Sequence, residues 1–127
     1  MIQSDDIALK KGAEVEKSLE QRVLEHLCRV YGLGPDEVGE LFAIGRDTVG
    51  QTLHRLEEAL GREDWPGMAE GAHMLKGTLY NMGLTELGDV ARNLEQACKQ
   101  GRADEARGMF AGLTISLGVF REPHAGA

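Results

Sequence analysis

The residues with the clearest chemical potential surround a single histidine between Met68 and Gly83. Hydrophobic side chains recur there every three or four residues, which predicts a helix with one buried stripe. The stripe consists of Met68, Ala72, Leu75, Leu79 and Met82. At about 100° per residue, His73 lies on the opposite side of this helix, with Lys76 and Gly77 about one turn further on. The pattern therefore predicts an exposed imidazole beside an ammonium group and a residue without a side chain.

These residue types favour transfer of a phosphoryl group. A neutral imidazole is a competent nucleophile, since its ordinary pKa is near 6.5. Lys76 can offset part of the negative charge that a phosphoryl group adds. Gly77 leaves room for a second protein to approach, which offsets its cost to the helix of about 1 kcal/mol relative to alanine. His73 has no evident proton relay in the sequence, so we expect a partner's groups to complete the chemistry.

The elements that position His73 are helices separated by glycines, with no convincing strand. Five segments have helical spacing of hydrophobic residues. They run from about Glu14 to Tyr31, from Pro35 to about Leu60, from Asp64 to Gly83, from Thr85 to Gly101, and from Ala103 to Phe120. Short connections between long helices favour antiparallel neighbours. We therefore predict an all-α, antiparallel up-down-up-down four-helix bundle with an additional N-terminal helix.

The chain length favours one domain. We assign residues 13–120 to a single bundle domain with its core motif at 64–101, and residues 1–12 and 121–127 to flexible tails. The 127 residues are 42% hydrophobic with a net charge of −7, which is ordinary for a soluble protein and unfavourable for nucleic acid binding. We find no secretory signal and no membrane span, so a cytoplasmic location is expected. The spacing of Cys28 and Cys98 favours reduced thiols.

A longer motif around His73 resembles the signature of histidine-containing phosphotransfer (HPt) domains. It comprises the run His73-Met74-Leu75-Lys76-Gly77-Thr78, then Gly83-Leu84, Leu87 and the pair Leu94-Glu95. The resemblance covers roughly Pro35 to Phe120, most of the chain. It implies a four-helix bundle that exchanges a phosphoryl group between an exposed histidine and an aspartate of a response-regulator receiver domain.

The resemblance also implies roles for single residues. His73 is the expected phosphoacceptor and Lys76 the cation that stabilises the phosphoryl group, while Gly77 gives the partner access. Further expected docking residues are Met74, Tyr80 and Gly83, although a half-buried ring is an equally good interpretation of Tyr80.

The partners that the resemblance implies are receiver domains and a hybrid histidine kinase. No cofactor or metal is expected on the chain itself, because the Mg²⁺ belongs to the receiver. We expect a stoichiometric carrier, without kinase activity of its own, that is monomeric.

Some features depart from the expected pattern, and two other functions compete with it. Leu79 and Tyr80 are larger than the small residues often found at their positions. Gly71 is unusual inside a helix, and the first helix is longer than a short lead-in helix. Residues 37–60 resemble a helix-turn-helix DNA reader, although their balanced charges do not suit phosphate contacts. A catalytically silent helical adaptor is the other alternative. His26 and His54 have no evident partner and are predicted to be ordinary solvated or half-buried side chains.

Overall fold

The computed structural model describes residues 18–121, and these form helices joined by short turns without any strand. The helices are α1 (Leu19–Tyr31), α2 (Pro35–Gly61), α3 (Trp65–Asn81), α4 (Thr85–Lys99) and α5 (Ala103–Leu117), followed by a 3₁₀ turn at Gly118–Phe120. Each helix packs chiefly against its neighbours in sequence, and α3 lies between α2 and α4. The predicted all-α fold is confirmed. The alternating up-down order of its four-helix bundle stays a prediction.

The first helix begins later than predicted. Ser18 is its N-cap: the Ser18 hydroxyl accepts a hydrogen bond from the Gln21 backbone N–H, and the Gln21 side chain accepts one from the Ser18 N–H. This reciprocal pair satisfies two backbone groups that a helix start leaves open. It places the beginning of α1 at Leu19, whereas the predicted start near Glu14 lies outside the described residues. Gly32 ends the helix in a left-handed conformation with φ +63°.

Helix α2 is continuous over 27 residues, from Pro35 to Gly61. Its glycines do not make the break that a helix-turn-helix requires. At Gly45 a side chain would meet Met82, because an added Cβ would lie 2.9 Å from the Met82 sulfur. The glycine thus allows α2 to approach the end of α3 closely. The unbroken helix removes the DNA-reading alternative.

The predicted buried stripe of α3 is confirmed, since all five of its hydrophobic residues are buried. Gly71 adds to this side of the helix. A Cβ at Gly71 would lie 2.9 Å from a methyl carbon of Leu56, so its absence lets α2 and α3 pack tightly. Close packing of this kind makes α3 a rigid support for the residues on its opposite side.

The turn after α3 depends on Gly83, which has φ +81°. The ring of His26 from α1 covers this glycine, and an added Cβ would lie 2.3 Å from the ring's Cγ. The position therefore requires glycine for two reasons, conformation and space. Gly83 and His26 both have a structural role here, while docking at Gly83 stays a prediction.

The structured domain extends to the end of the described residues. Arg121 was predicted to lie in a loose tail, but its guanidinium pairs with the carboxylate of Glu57 on α2. The remaining tail predictions, at 1–12 and 122–127, lie outside the described residues. Within 18–121, no helix combines the length and hydrophobicity needed to cross a bilayer.

Candidate functional site around His73

His73 projects from α3 into solvent, as the helical spacing predicts. Its neighbours Ala72 and Leu75 are fully buried, whereas 64% of the His73 side chain is exposed. The packed helix therefore fixes the backbone of His73 and leaves the imidazole ring open to solvent. An incoming protein can reach it without any rearrangement of the core.

The sequence predicted an imidazole without a partner in the chain, but the structure shows that the His73 ring has one. Its Nδ1 lies 3.3 Å from Oε1 and 3.2 Å from Oε2 of Glu95 on α4. Glu95 is buried, with 7% of its side chain exposed. The expectation that His73 lacks a proton partner within the chain is therefore wrong. The site includes the carboxylate of Glu95, which belongs to the sequence motif but for which no role was predicted.

A signal for Glu95 was present in the sequence. Gly88, Ala91 and Cys98 lie on the buried side of α4, and Glu95 falls between them at helical spacing. A carboxylate in a buried stripe needs hydrogen-bonding partners, because an unpaired buried charge is strongly unfavourable. The sequence alone did not reveal which residues of α3 supply them.

Two lysines complete the partners of Glu95. Lys76 Nζ lies 3.2 Å from Oε1, and Lys99 Nζ lies 2.9 Å from Oε2. Burial by itself would raise the pKa of Glu95, but the hydrogen bonds from Lys99, Lys76 and His73 outweigh it and lower this pKa to about 2. Glu95 is therefore a carboxylate anion throughout the physiological range. We call Glu95, His73, Lys76 and Lys99 the ion cluster.

The ion cluster determines which nitrogen of His73 is available. A carboxylate anion can only accept hydrogen bonds, so Nδ1 of the neutral ring must carry the proton. The lone pair then resides on Nε2, the nitrogen farther from the backbone. Because Nδ1 is the atom bound to Glu95, Nε2 is left as the nucleophilic position of the exposed ring.

A groove of about 720 Å³ begins at His73 and runs between α3 and α4. His73, Glu95 and Lys99 line it together with Glu70 and Trp65. Lys76 binds Glu95 but is absent from the lining of this groove. The two lysines thus contact the same carboxylate from different places. Of the two, Lys99 lines the open groove together with His73.

The structure places the predicted docking residues in different environments. Gly77 is exposed, and a Cβ there would meet no atom within 4 Å, so the surface beside His73 is open. Met74 is 42% exposed. Tyr80 is half-buried: its ring packs against the backbone of Gly88, and its hydroxyl donates a 2.5 Å hydrogen bond to Asp89. The hydrogen bond to Asp89 is the main cause of the raised pKa of Tyr80.

The sequence did not reveal an apolar groove on the other side of α3. We call it the α1–α3 groove, a space of about 450 Å³. Residues from three helices line it, including Tyr31 of α1, Leu41 and Ile44 of α2, and Thr78 of α3. Tyr31, Leu41 and Ile44 are 54%, 37% and 63% exposed, which makes this a concentration of exposed hydrophobic surface.

The family model for the Hpt domain matches residues 40–122. The chain belongs to the Hpt domain family. No curated protein and no solved structure gives a significant match. Hpt domains are helical bundles that carry out histidine phosphotransfer in phosphorelays, with receiver domains and histidine kinases as their general partners. The match begins within α2, so α1 lies outside it.

Proposed function

We propose that this Hpt domain is a phosphorelay intermediate that accepts a phosphoryl group on Nε2 of His73 from a receiver aspartate and passes it to another receiver. The observation that carries this proposal is the exposed ring of His73 held through Nδ1 by the buried Glu95. That contact presents the nucleophilic nitrogen outward. The chain is a stoichiometric carrier, because it returns to its starting state only when the group leaves.

The transfer step follows from the tautomer of His73. The Nε2 lone pair attacks phosphorus, the Nε2–P bond forms, and the P–O bond to the receiver aspartate breaks with its electron pair staying on the aspartate. The ring gains positive charge while Nδ1 keeps its proton. Glu95 faces that proton and stabilises the charge, as the buried carboxylate does for the histidine of a serine-protease triad. The reverse attack by a second aspartate restores the neutral ring.

Docking of the receiver is expected beside His73 on α3. Gly77 gives access to the ring, and Met74 offers exposed apolar surface next to it. Thr78, one turn after Met74, lines the α1–α3 groove, so this apolar surface is continuous with the site. Interfaces of this kind combine an apolar anchor with a polar rim. The receiver supplies the Mg²⁺ and the reacting carboxylate.

The decisive experiment is a transfer assay against a panel of receiver domains phosphorylated on aspartate with labelled phosphate in Mg²⁺ buffer. We expect label to move to the wild-type chain and to be lost in His73→Gln. His54→Gln is the matched control, because His54 is equally exposed at 63% and also pairs with a glutamate. Label that persists in His73→Gln, or a wild-type chain that takes no label from any receiver, would contradict the proposal.

The same assay separates the carrier from a silent adaptor. An adaptor would bind receivers without taking their phosphoryl group, so complex formation without label on His73 supports the adaptor. Labelled ATP in place of the phosphorylated receiver should leave the chain unlabelled. Label from ATP alone would show a kinase activity that the proposed carrier does not have.

A further inference from the structure

We propose that Lys99 is a phosphoryl-binding cation, which moves from Glu95 to the phosphoryl oxygens when His73 is phosphorylated. This inference rests on the proposed function, since it concerns the phosphorylated form of His73. Its starting point is that one buried carboxylate has two lysine partners, Lys76 and Lys99.

The first argument is charge. In the unphosphorylated site Glu95 contributes one negative charge and the lysines two positive charges, so the ion cluster with a neutral His73 has a surplus positive charge. Transfer adds one net negative charge: the phosphoryl group brings close to two, and the ring becomes positive. One lysine is enough to compensate Glu95. The other matches the charge that the phosphoryl group brings.

The second argument is position. Lys99 Nζ and His73 Nδ1 contact the same oxygen of Glu95, at 2.9 and 3.2 Å. Lys99 also lines the groove that begins at His73. The exposed carboxylate of Glu70 lies on that groove as well, which makes a phosphoryl group there less favourable without a nearby cation.

The third argument is freedom to move. The side chain of Lys99 is 59% exposed, whereas that of Lys76 is 24% exposed. Lys99 approaches Glu95 from the same helix, one turn away, and its exposed side chain can turn towards the groove without disturbing the core. Moving it to the phosphoryl group leaves Lys76 on the buried carboxylate. Glu95 therefore keeps a cation in both states.

The test uses chemical phosphorylation, so it does not depend on finding the receiver. The full chain is phosphorylated with phosphoramidate, and the phosphoryl pKa is measured by ³¹P NMR titration. A cation in contact favours the doubly charged phosphoryl form. We expect Lys99→Gln to raise the phosphoryl pKa by about half a unit to one unit, and Lys99→Arg to restore most of the shift.

A second comparison separates direct contact from an effect through Glu95. If Lys99 binds the phosphoryl group, Lys99→Gln raises the phosphoryl pKa in the Glu95→Gln background as well. If Lys99 acts only by compensating Glu95, the shift disappears there, and the proposal is overturned. Arg102→Gln is the control variant, because Arg102 pairs with Glu105 and has no contact with Glu95. Thermal unfolding of each variant checks that the fold is intact.

The outcomes also separate this proposal from the proposed function. A normal ³¹P signal with no response to Lys99→Gln overturns the role of Lys99 and leaves His73 as the phosphoacceptor. Absence of any phosphohistidine signal from the wild-type chain would overturn both, because Lys99 would have no phosphoryl group to bind.

Discussion

His73 and His54 provide a comparison within one molecule. Their side chains are exposed to the same degree, 64% and 63%, and each ring contacts a glutamate. Glu95 is buried and pairs with two lysines in addition to His73. Glu58 is 52% exposed and lies one helical turn after His54 on the same helix. The two histidines therefore differ in their glutamate partners: the partner of His73 is buried and paired with lysines, and the partner of His54 is exposed.

The difference shows what the proposed phosphoacceptor site has beyond an accessible imidazole. A contact between exposed side chains orients a ring weakly, because water competes for both partners. A buried carboxylate held by several hydrogen bonds has a fixed position, so it can fix the tautomer and the direction of His73. The residue one turn after each histidine also differs. Gly77 leaves the surface beside His73 open, whereas the corresponding position after His54 is Glu58 itself.

The largest expected effect among variants that retain His73 comes from Glu95, and Glu58 provides the matched comparison. Glu95→Gln should lower the rate of phosphoryl transfer by roughly tenfold to a hundredfold, because a hydrogen bond to a charged group is worth about 1.5–3 kcal/mol. Glu58→Gln should leave the rate unchanged. Single-turnover transfer from a phosphorylated receiver measures both. Equal rates for the two variants would remove the distinction between the histidines.

The second prediction concerns how the free energy of unfolding changes at low pH. Because the pKa of Glu95 lies at about 2 in the folded chain, below its ordinary value of 4.5, the unfolded chain binds a proton more readily. The stabilisation is complete above about pH 5 and is lost as the pH falls towards 2. The stability advantage of the wild-type chain over Glu95→Gln should therefore shrink on acidification by about 2–3 kcal/mol. Urea unfolding at several pH values measures it, and a constant difference would argue against a charged, paired Glu95.

A third prediction asks how a receiver finds His73 and not His54. If the α1–α3 groove forms part of the docking surface, Ile44→Glu should weaken receiver binding by about tenfold, since it places a charge in an apolar contact. Ile115→Glu is the matched control, because Ile115 is 82% exposed on α5. Titration calorimetry gives both affinities. Equal weakening by the two substitutions would place the docking surface elsewhere.

The smallest effect is expected at Gly77. Gly77→Ala should stabilise the fold by up to about 1 kcal/mol, because the added methyl group meets no neighbour and alanine favours the helix. The same methyl group should slow transfer if the receiver approaches closely there. Thermal unfolding and the transfer assay report the two effects separately. Faster or unchanged transfer would show that the glycine is not needed for access.

Hydrophobic spacing was enough to predict the helical architecture and the direction of His73. The hydrophobic stripe of α3 has helical spacing, so burying that stripe leaves only one direction for the histidine. Local signals also predicted the starts of α2 to α5 within one residue, as at Asp64, whose side chain accepts the Gly67 N–H. The start of α1 at Leu19 was not predicted, because the hydrophobic pattern continues before the cap at Ser18.

The groups that surround the His73 ring could not be predicted in this way, because they come from a different helix. His73 and Glu95 are separated by 22 residues, and their contact depends on how α3 and α4 pack. A helical pattern gives the side on which a residue lies, but the partner across an interface depends on the relative position of two helices. The same holds for Gly45, Gly71 and Gly83, which weaken a helix or end it when considered locally. Gly71 and Gly83 lie against a side chain from another helix, and Gly45 lies against Met82, the C-cap of α3. These close contacts are why glycines are present.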